Sequence, residues 1–147
     1  MMAIGKRLIS GFLVLVVSSL MFLTSPAIAA TSSDVLTLTP ENFETEVVKS
    51  DKPVVVILIS DTTREALEVS LDKVKSEAQT TFGDKYKIVL GTVEANPETY
   101  YQTPVPRIYP PISTASIYEK GTKIASGFFI NPNDPRQEFE SIKDFNY

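Results

Sequence analysis

The stretch Val54–Ile59 constrains the fold more than any other part of this chain. Six consecutive apolar residues, beginning with three valines, predict a strand that is covered on both faces, as in a sheet flanked by helices. Thr62 and Glu65 follow directly, and their spacing is the capping-box pattern that begins a helix. The sequence therefore predicts an α/β fold in which this strand is central and leads into the N-terminus of a helix.

The residue types that are missing exclude several kinds of chemistry. The 147 residues include no cysteine and no histidine. Thiol redox centres, disulfides, Cys/His zinc sites and imidazole bases are therefore excluded. Glu65, Glu68 and Asp72 share one side of a predicted helix, and we interpret them as a solvated acidic face rather than a metal site. We predict no catalytic residue, no metal and no cofactor, and a protein that is not an enzyme.

The amino-terminal segment predicts a signal peptide. Lys6 and Arg7 precede a mostly apolar run, residues 8–23, and Ala27 and Ala29 supply the small residues that a signal peptidase requires. Because the run is short for a membrane span, we expect cleavage after Ala29. An uncleaved anchor is the alternative, and it would tether the same domain to a membrane.

The predicted organisation is a signal peptide (residues 1–29), a polar leader (residues 30–34) and one domain (residues 35–147). Removal of the signal peptide lowers the basic residues from 14 to 12 against 18 acidic ones, which gives the exported part a net charge of −6. An acidic domain repels polyanions, so we do not expect nucleic acid or anionic membrane surfaces as partners. The expected partner is another protein.

The pattern after residue 34 predicts alternating strands and helices and then a hairpin. The expected elements are a short edge strand (Val35–Leu38), a helix (Glu41–Ser50, with Thr39 as N-cap), the core strand, a long helix (Thr63–Phe82), an interior strand (Tyr86–Val93), a hairpin (Ser113–Tyr118 with Lys123–Phe129) and a terminal helix that begins near Asp134. The two interior strands should be parallel because a helix separates them. Phe139, Ile142 and Phe145 mark the predicted buried side of the terminal helix.

The segment from Glu94 to Ile112 carries five prolines and three tyrosines, a density that favours a loop. A turn or two of helix at Asn96–Tyr101, followed by extended or polyproline conformation, is compatible with this pattern. Tyrosine offers a large contact area at low entropic cost, and proline restrains a loop before it binds. The candidate partner-binding residues are Tyr100, Tyr101, Pro106, Arg107, Tyr109, Pro110 and Pro111. Packing of the loop on its own domain is the alternative.

The order of elements and several stretches of sequence together resemble the thioredoxin fold over almost the whole exported part. The stretches are LTPENFETEVVKSDKPVVVILIS around the core strand, VEANPE after the next strand, and SIYEKGTKIASGFF in the hairpin. The resemblance implies a central mixed sheet, β-α-β-α-β followed by a β-hairpin and a C-terminal helix, flanked by helices. With its predicted signal peptide, the chain also resembles cyanobacterial thioredoxin-like proteins of the periplasm or thylakoid lumen.

The resemblance fails where thioredoxins carry their redox motif. They place W-C-G-P-C at the start of the helix after the core strand, and this chain has Thr62, Thr63, Arg64, Glu65 and Ala66 there. Thr63 and Ala66 replace the two cysteines. In the core strand, Ile57 replaces the family's buried acid, and the family's cis-proline falls near Pro111 or Ser113. The resemblance therefore implies a scaffold without oxidoreductase activity.

Three functions follow as hypotheses. The first is a redox-inactive binding or assembly module that contacts another protein through the loop rich in proline and tyrosine. The second is a permanent accessory subunit of a membrane complex, such as a photosynthetic one. The third is an enzyme that uses a hydroxyl of Thr62 or Thr63 with Asp61 or Glu65 as base.

Overall fold

The apolar stretch Val54–Ile59 is the middle strand of a five-stranded mixed sheet. The computed structural model describes residues 35–102 and 111–145, all within one unit of the chain, Asp34–Tyr147. The elements are β1 (Leu36–Thr37), a short π-helix that we label α1 (Glu44–Val48), β2 (Val54–Ile59), α2 (Asp61–Ala66), α3 (Leu71–Phe82) followed by a 3-10 turn (Gly83–Lys85), β3 (Lys87–Thr92), α4 (Pro97–Tyr101), β4 (Ser113–Glu119), β5 (Thr122–Phe129) and α5 (Arg136–Asp144). This order confirms the predicted alternation and the hairpin that follows it.

The strands lie in the order β1-β3-β2-β4-β5. Strand β3 is parallel to both β1 and β2, as the helices between β2 and β3 require. Strand β4 is antiparallel to β2 and to β5. Lys120 and Gly121 turn the hairpin with positive φ angles of 49° and 77°, the pattern of a tight turn that matches strand twist.

Strand β2 separates two apolar cores. Its six residues are each 2% exposed or less. The odd-numbered residues face a core that includes Val74 of α3 and Phe139 of α5. The even-numbered residues face a core that includes Val47 of α1 and Tyr100 of α4. The prediction of a strand covered on both faces is confirmed, because alternate side chains of a strand point to opposite faces.

The prediction of one helix over Thr63–Phe82 is wrong. Helix α2 ends at Ala66, and α3 begins at Leu71. Glu68 has a φ angle of 48°, and the Val69 N–H donates to the Arg64 carbonyl at 2.9 Å, which is the closure of a Schellman motif. As a result Leu67 is 45% exposed.

Two side-chain hydrogen bonds stabilise this break, one from a residue distant in sequence and one local. The Asn133 side chain donates to the Leu67 carbonyl at 2.8 Å and so caps the end of α2. Ser70 begins α3 by accepting a hydrogen bond from the Lys73 N–H. The apolar spacing continues across the break, so periodicity alone could not reveal it.

Two smaller corrections concern helix ends. The first helix does not cover Glu41–Ser50, because the Asn42 side chain accepts the Thr39 N–H at 2.8 Å and holds a turn there. Phe145 is 71% exposed instead of buried, because α5 ends at Asp144.

Some predictions concern residues outside the described ranges. These are the signal peptide (residues 1–29), the polar leader (residues 30–34), and the loop positions Pro106, Arg107, Tyr109 and Pro110. Among the described residues, no helix has the length and apolar character needed to cross a membrane.

Gly91 of β3 allows a close approach that we expect any side chain to prevent. An added Cβ would lie 2.7 Å from Asn96 Nδ2 and 3.0 Å from the Leu38 carbonyl oxygen. Gly91→Ala should therefore lower the free energy of unfolding by about 1–3 kcal/mol, as overpacking does. Gly127→Ala is the graded control, because its Cβ would meet only the end of the Ile142 side chain. Urea denaturation measures both, and an equal effect of the two changes would contradict the expectation.

Candidate functional site

The helix that follows β2 begins at Ser60, not at Thr62. Ser60 is fully buried, has extended backbone angles and is the N-cap of α2. The predicted capping box of Thr62 and Glu65 is therefore wrong. Glu65 is exposed, and Asp61 forms a 3.5 Å ion pair with Arg64. Both partners are more than a third exposed, so this pair contributes little to stability.

Glu94, which follows β3, supplies the acceptor that the start of α2 needs. Its carboxylate accepts hydrogen bonds from the Ser60 hydroxyl at 2.7 Å and from the Asp61 N–H at 2.9 Å. The Thr62 backbone contributes a further hydrogen bond. Burial raises the pKa of the Glu94 carboxyl, but these hydrogen bonds together lower it more, so the pKa lies below its ordinary value. The free N–H groups of the helix start are thus occupied by a carboxylate of the same chain.

Thr63, in the first turn of α2, is directed into the protein. It is 8% exposed, and its hydroxyl donates to the Pro111 carbonyl at 3.2 Å. This bond joins α2 to the residues just before β4. A backbone carbonyl accepts a hydrogen bond but is too weak a base to remove the hydroxyl proton. This contact therefore does not activate Thr63 as a nucleophile.

The two adjacent tyrosines of the proline-rich segment have opposite environments. Tyr100 is 4% exposed, and burial raises the pKa of its phenol, which also forms a hydrogen bond with the backbone of Ile112. Tyr101 is 63% exposed and stacks edge-to-face on Tyr100 with ring centroids 5.5 Å apart. Of the described partner-binding candidates, Tyr101 is at the surface, Pro111 is partly buried and Tyr100 is in the core.

Sequence reasoning missed the polar residues that hold this region together. Asn96 is 2% exposed, and its amide nitrogen donates to the carbonyls of Leu38 and Thr92. The Asn96 Oδ1 and Ser113 Oγ atoms are buried and have no hydrogen-bond partner among the described residues. The signal for Glu94 and Asn96 was present in VEANPE, directly after a predicted interior strand, but only the sheet brings them to β2 and β1.

The loop Asn131–Asp134 has a structural role. Asn131 accepts the Asn133 N–H at 3.1 Å, and Asn133 in turn caps α2. Within residues 35–102 and 111–145, no three acidic side chains are grouped closely enough to hold a metal ion.

Comparison with known proteins does not place the chain. No protein-family model matches it, and a search of curated proteins finds no relative. Its site must therefore be interpreted from the contacts described above.

Replacement of Glu94 should weaken the junction between β3 and α2. Loss of a helix cap costs about 0.5–2 kcal/mol, and the solvent exposure of this carboxylate places Glu94→Gln near the lower end. Because the folded-state pKa of Glu94 is lowered, its contribution is present above the unfolded value and disappears as the pH falls through the folded value.

Urea denaturation from neutral pH down to acid tests this linkage. The parent should lose part of its stability advantage over Glu94→Gln below the ordinary pKa of 4.5. Glu98→Gln, an exposed glutamate on α4, is the matched control. A constant difference between parent and Glu94→Gln at every pH would show that the carboxylate charge has no part in the cap.

Proposed function

We propose that this chain is a redox-inactive thioredoxin-fold protein that binds another protein. The strand order, the parallel pair β2 and β3, the antiparallel hairpin and the helices on both faces support this fold. The hydrogen bond between Thr63 and the Pro111 carbonyl supports the loss of redox chemistry, since a buried hydroxyl stands where the family has its reactive thiol.

The single observation that carries a binding role is the presentation of Tyr101. Its ring is 63% exposed, yet it packs against the ring of Tyr100. Tyr100 is buried and forms a hydrogen bond with the backbone of Ile112, at the end of the proline-rich segment. A large side chain held in place before binding loses little conformational entropy when a partner covers it. Exposed, restrained tyrosines are frequent among the residues that dominate binding energy.

The proposed location is outside the cytoplasm, in a periplasm or thylakoid lumen, with residues 8–23 as the tether if the signal peptide is retained. A permanent accessory subunit of a membrane complex would use the same tyrosine surface. The two roles differ in the lifetime of the complex, so the dissociation rate of the purified pair distinguishes them.

Tyr101→Ala and Tyr100→Ala should have opposite effects. Tyr101→Ala should reduce partner affinity by roughly 1–3 kcal/mol and leave the melting temperature nearly unchanged, as truncation of an exposed hot spot does. Tyr100→Ala should destabilise the domain by about 3–5 kcal/mol, because it removes a buried aromatic ring.

The experiment is affinity purification from solubilised host membranes, followed by melting and binding measurements on the same variants. Leu36→Ala, which truncates a 40% exposed side chain on β1, is the surface control. A partner that binds the Tyr101 variant as well as the parent would remove Tyr101 from the interface and overturn the proposed surface.

The fold proposal has a separate test in thiol chemistry. The parent should not reduce insulin disulfides, because it has no thiol. The double variant Thr63→Cys with Ala66→Cys should form an intramolecular disulfide, since a thioredoxin fold places these positions at bonding distance. Mass spectrometry under oxidising conditions detects that bond, and failure of the two thiols to pair in a folded variant would count against the thioredoxin assignment.

A further inference from the structure

Strand β5 has an open edge. It is the last strand of the sheet and, among the described residues, pairs only with β4. Natural proteins usually protect such an edge with charges or prolines. From Ile124 to Phe129, β5 carries neither. Its pairing with β4 has a bulge at Ile124, because Ile117 pairs with Ala125 and Tyr118 pairs with Lys123, so the regular part of the edge is Ala125–Phe129. The one charged residue of β5, Lys123, donates to the Gln102 carbonyl. None of the described residues therefore prevents this edge from pairing with a strand of another molecule.

Large apolar side chains surround this edge. On β5, Ile124 is 38% and Phe128 47% exposed, and Ile130 just beyond the strand is 75% exposed. Phe145, after the end of α5, is 71% exposed. Single exposed apolar residues are ordinary, whereas several of them around one strand edge are typical of a binding surface.

A groove of about 430 Å³ lies between β5 and α5. Its walls include Ser126, Gly127 and Phe128 of the strand and Gln137, Ser141 and Phe145 of the helical side. Gly127 brings the two elements together, since an added Cβ would lie 3.0 Å from the Ile142 side chain. A strand added to β5 would direct alternate side chains into this groove and the others to the opposite face of the sheet.

The groove is acidic. Glu138 lines it, and Glu140 and Asp144 border the adjoining depression beside Phe145. No basic residue is among the residues that line either hollow.

The basic residues of α5 are engaged with α3. Arg136 forms a two-pronged ion pair with Glu77, with nitrogen–oxygen distances of 2.9 and 3.0 Å. Lys143 Nζ donates to the Thr81 carbonyl at 2.7 Å. Arg136 also interacts electrostatically with Glu140, so among the described contacts Glu138 and Asp144 are the acidic residues of this border that no cation of α5 faces.

We propose that this groove binds an extended segment of another protein in which apolar and basic residues alternate, and that the segment adds to β5 as a sixth strand. Backbone hydrogen bonds to the edge would give affinity, and the apolar walls and acidic border would select the sequence. Tyr101 is not among the groove residues, so this surface is distinct from the tyrosine surface.

Charge decides between this occupant and a second copy of the chain. Antiparallel pairing of β5 with its own copy would bring the acidic residues of two α5 helices to the same interface. Like charges placed opposite each other across a sheet or an interface are destabilising. A basic segment instead gains from the same charges.

The test uses the isotope-labelled full chain and two end-blocked peptides of eight residues. One alternates valine with lysine, and the other alternates valine with glutamate. The lysine peptide should shift the NMR signals of β5 and α5 and bind at least roughly tenfold more tightly than the glutamate peptide, with affinity falling as salt is added.

Charge-reversal variants test whether the lysine peptide binds at the groove. Glu138→Lys with Asp144→Lys should weaken binding of the lysine peptide by roughly tenfold and favour the glutamate peptide. Glu44→Lys with Asp51→Lys, on exposed positions away from α5, should leave both affinities unchanged, as should Tyr101→Ala. Thermal melting verifies that each variant is folded.

Three outcomes would overturn the proposal. They are equal binding of the two peptides, signal changes outside β5 and α5, and a concentration-dependent dimer whose β5 amides are protected without peptide. The last outcome would show that a second copy occupies the edge. Because Tyr101→Ala is tested separately, failure here would leave the tyrosine surface unaffected.

Discussion

Burial of β2 on both faces is the constraint on which the rest of the structure depends. Each of its six side chains is almost fully removed from solvent, and complete burial of a valine, leucine or isoleucine contributes roughly 1.5–3 kcal/mol. A single layer of helices could cover only half of these side chains. Helices α3 and α5 therefore pack on one face, while α1 and α4 pack on the other. The neighbouring strands β3 and β4 satisfy its backbone hydrogen bonds along its length.

The end of β2 shows how this chain uses its polar groups internally. Glu94 occupies the N–H groups at the start of α2, and Thr63 is bonded to the Pro111 carbonyl. Asn96 bridges the ends of β1 and β3, in the space that Gly91 leaves open. Groups that a catalytic site would direct at a substrate are thus directed at the protein itself. The described contacts make this region a structural junction between β2, α2 and the residues before β4.

The two proposed surfaces differ in physical character. The tyrosine surface depends on one ring held against a buried neighbour, so its strength comes from restraint before binding. The β5 groove combines an open backbone edge with apolar walls and an acidic border. It would recognise a segment by backbone pairing and by charge. Two such surfaces would let one domain join two partners, as the proposed assembly role requires.

The sequence by itself determined the central strand, the alternation of helices and strands and the hairpin, because apolar spacing and turn residues act locally. The absence of cysteine and histidine likewise excluded thiol and imidazole chemistry without any structure. Only the tertiary structure decided the break between α2 and α3, which Asn133 stabilises from 66 positions away. The same is true of the cap that Glu94 supplies, of the opposite environments of Tyr100 and Tyr101, and of the exposure of Phe145. These features depend on contacts between residues distant along the chain, and neither spacing nor residue type records which distant groups the sheet brings together.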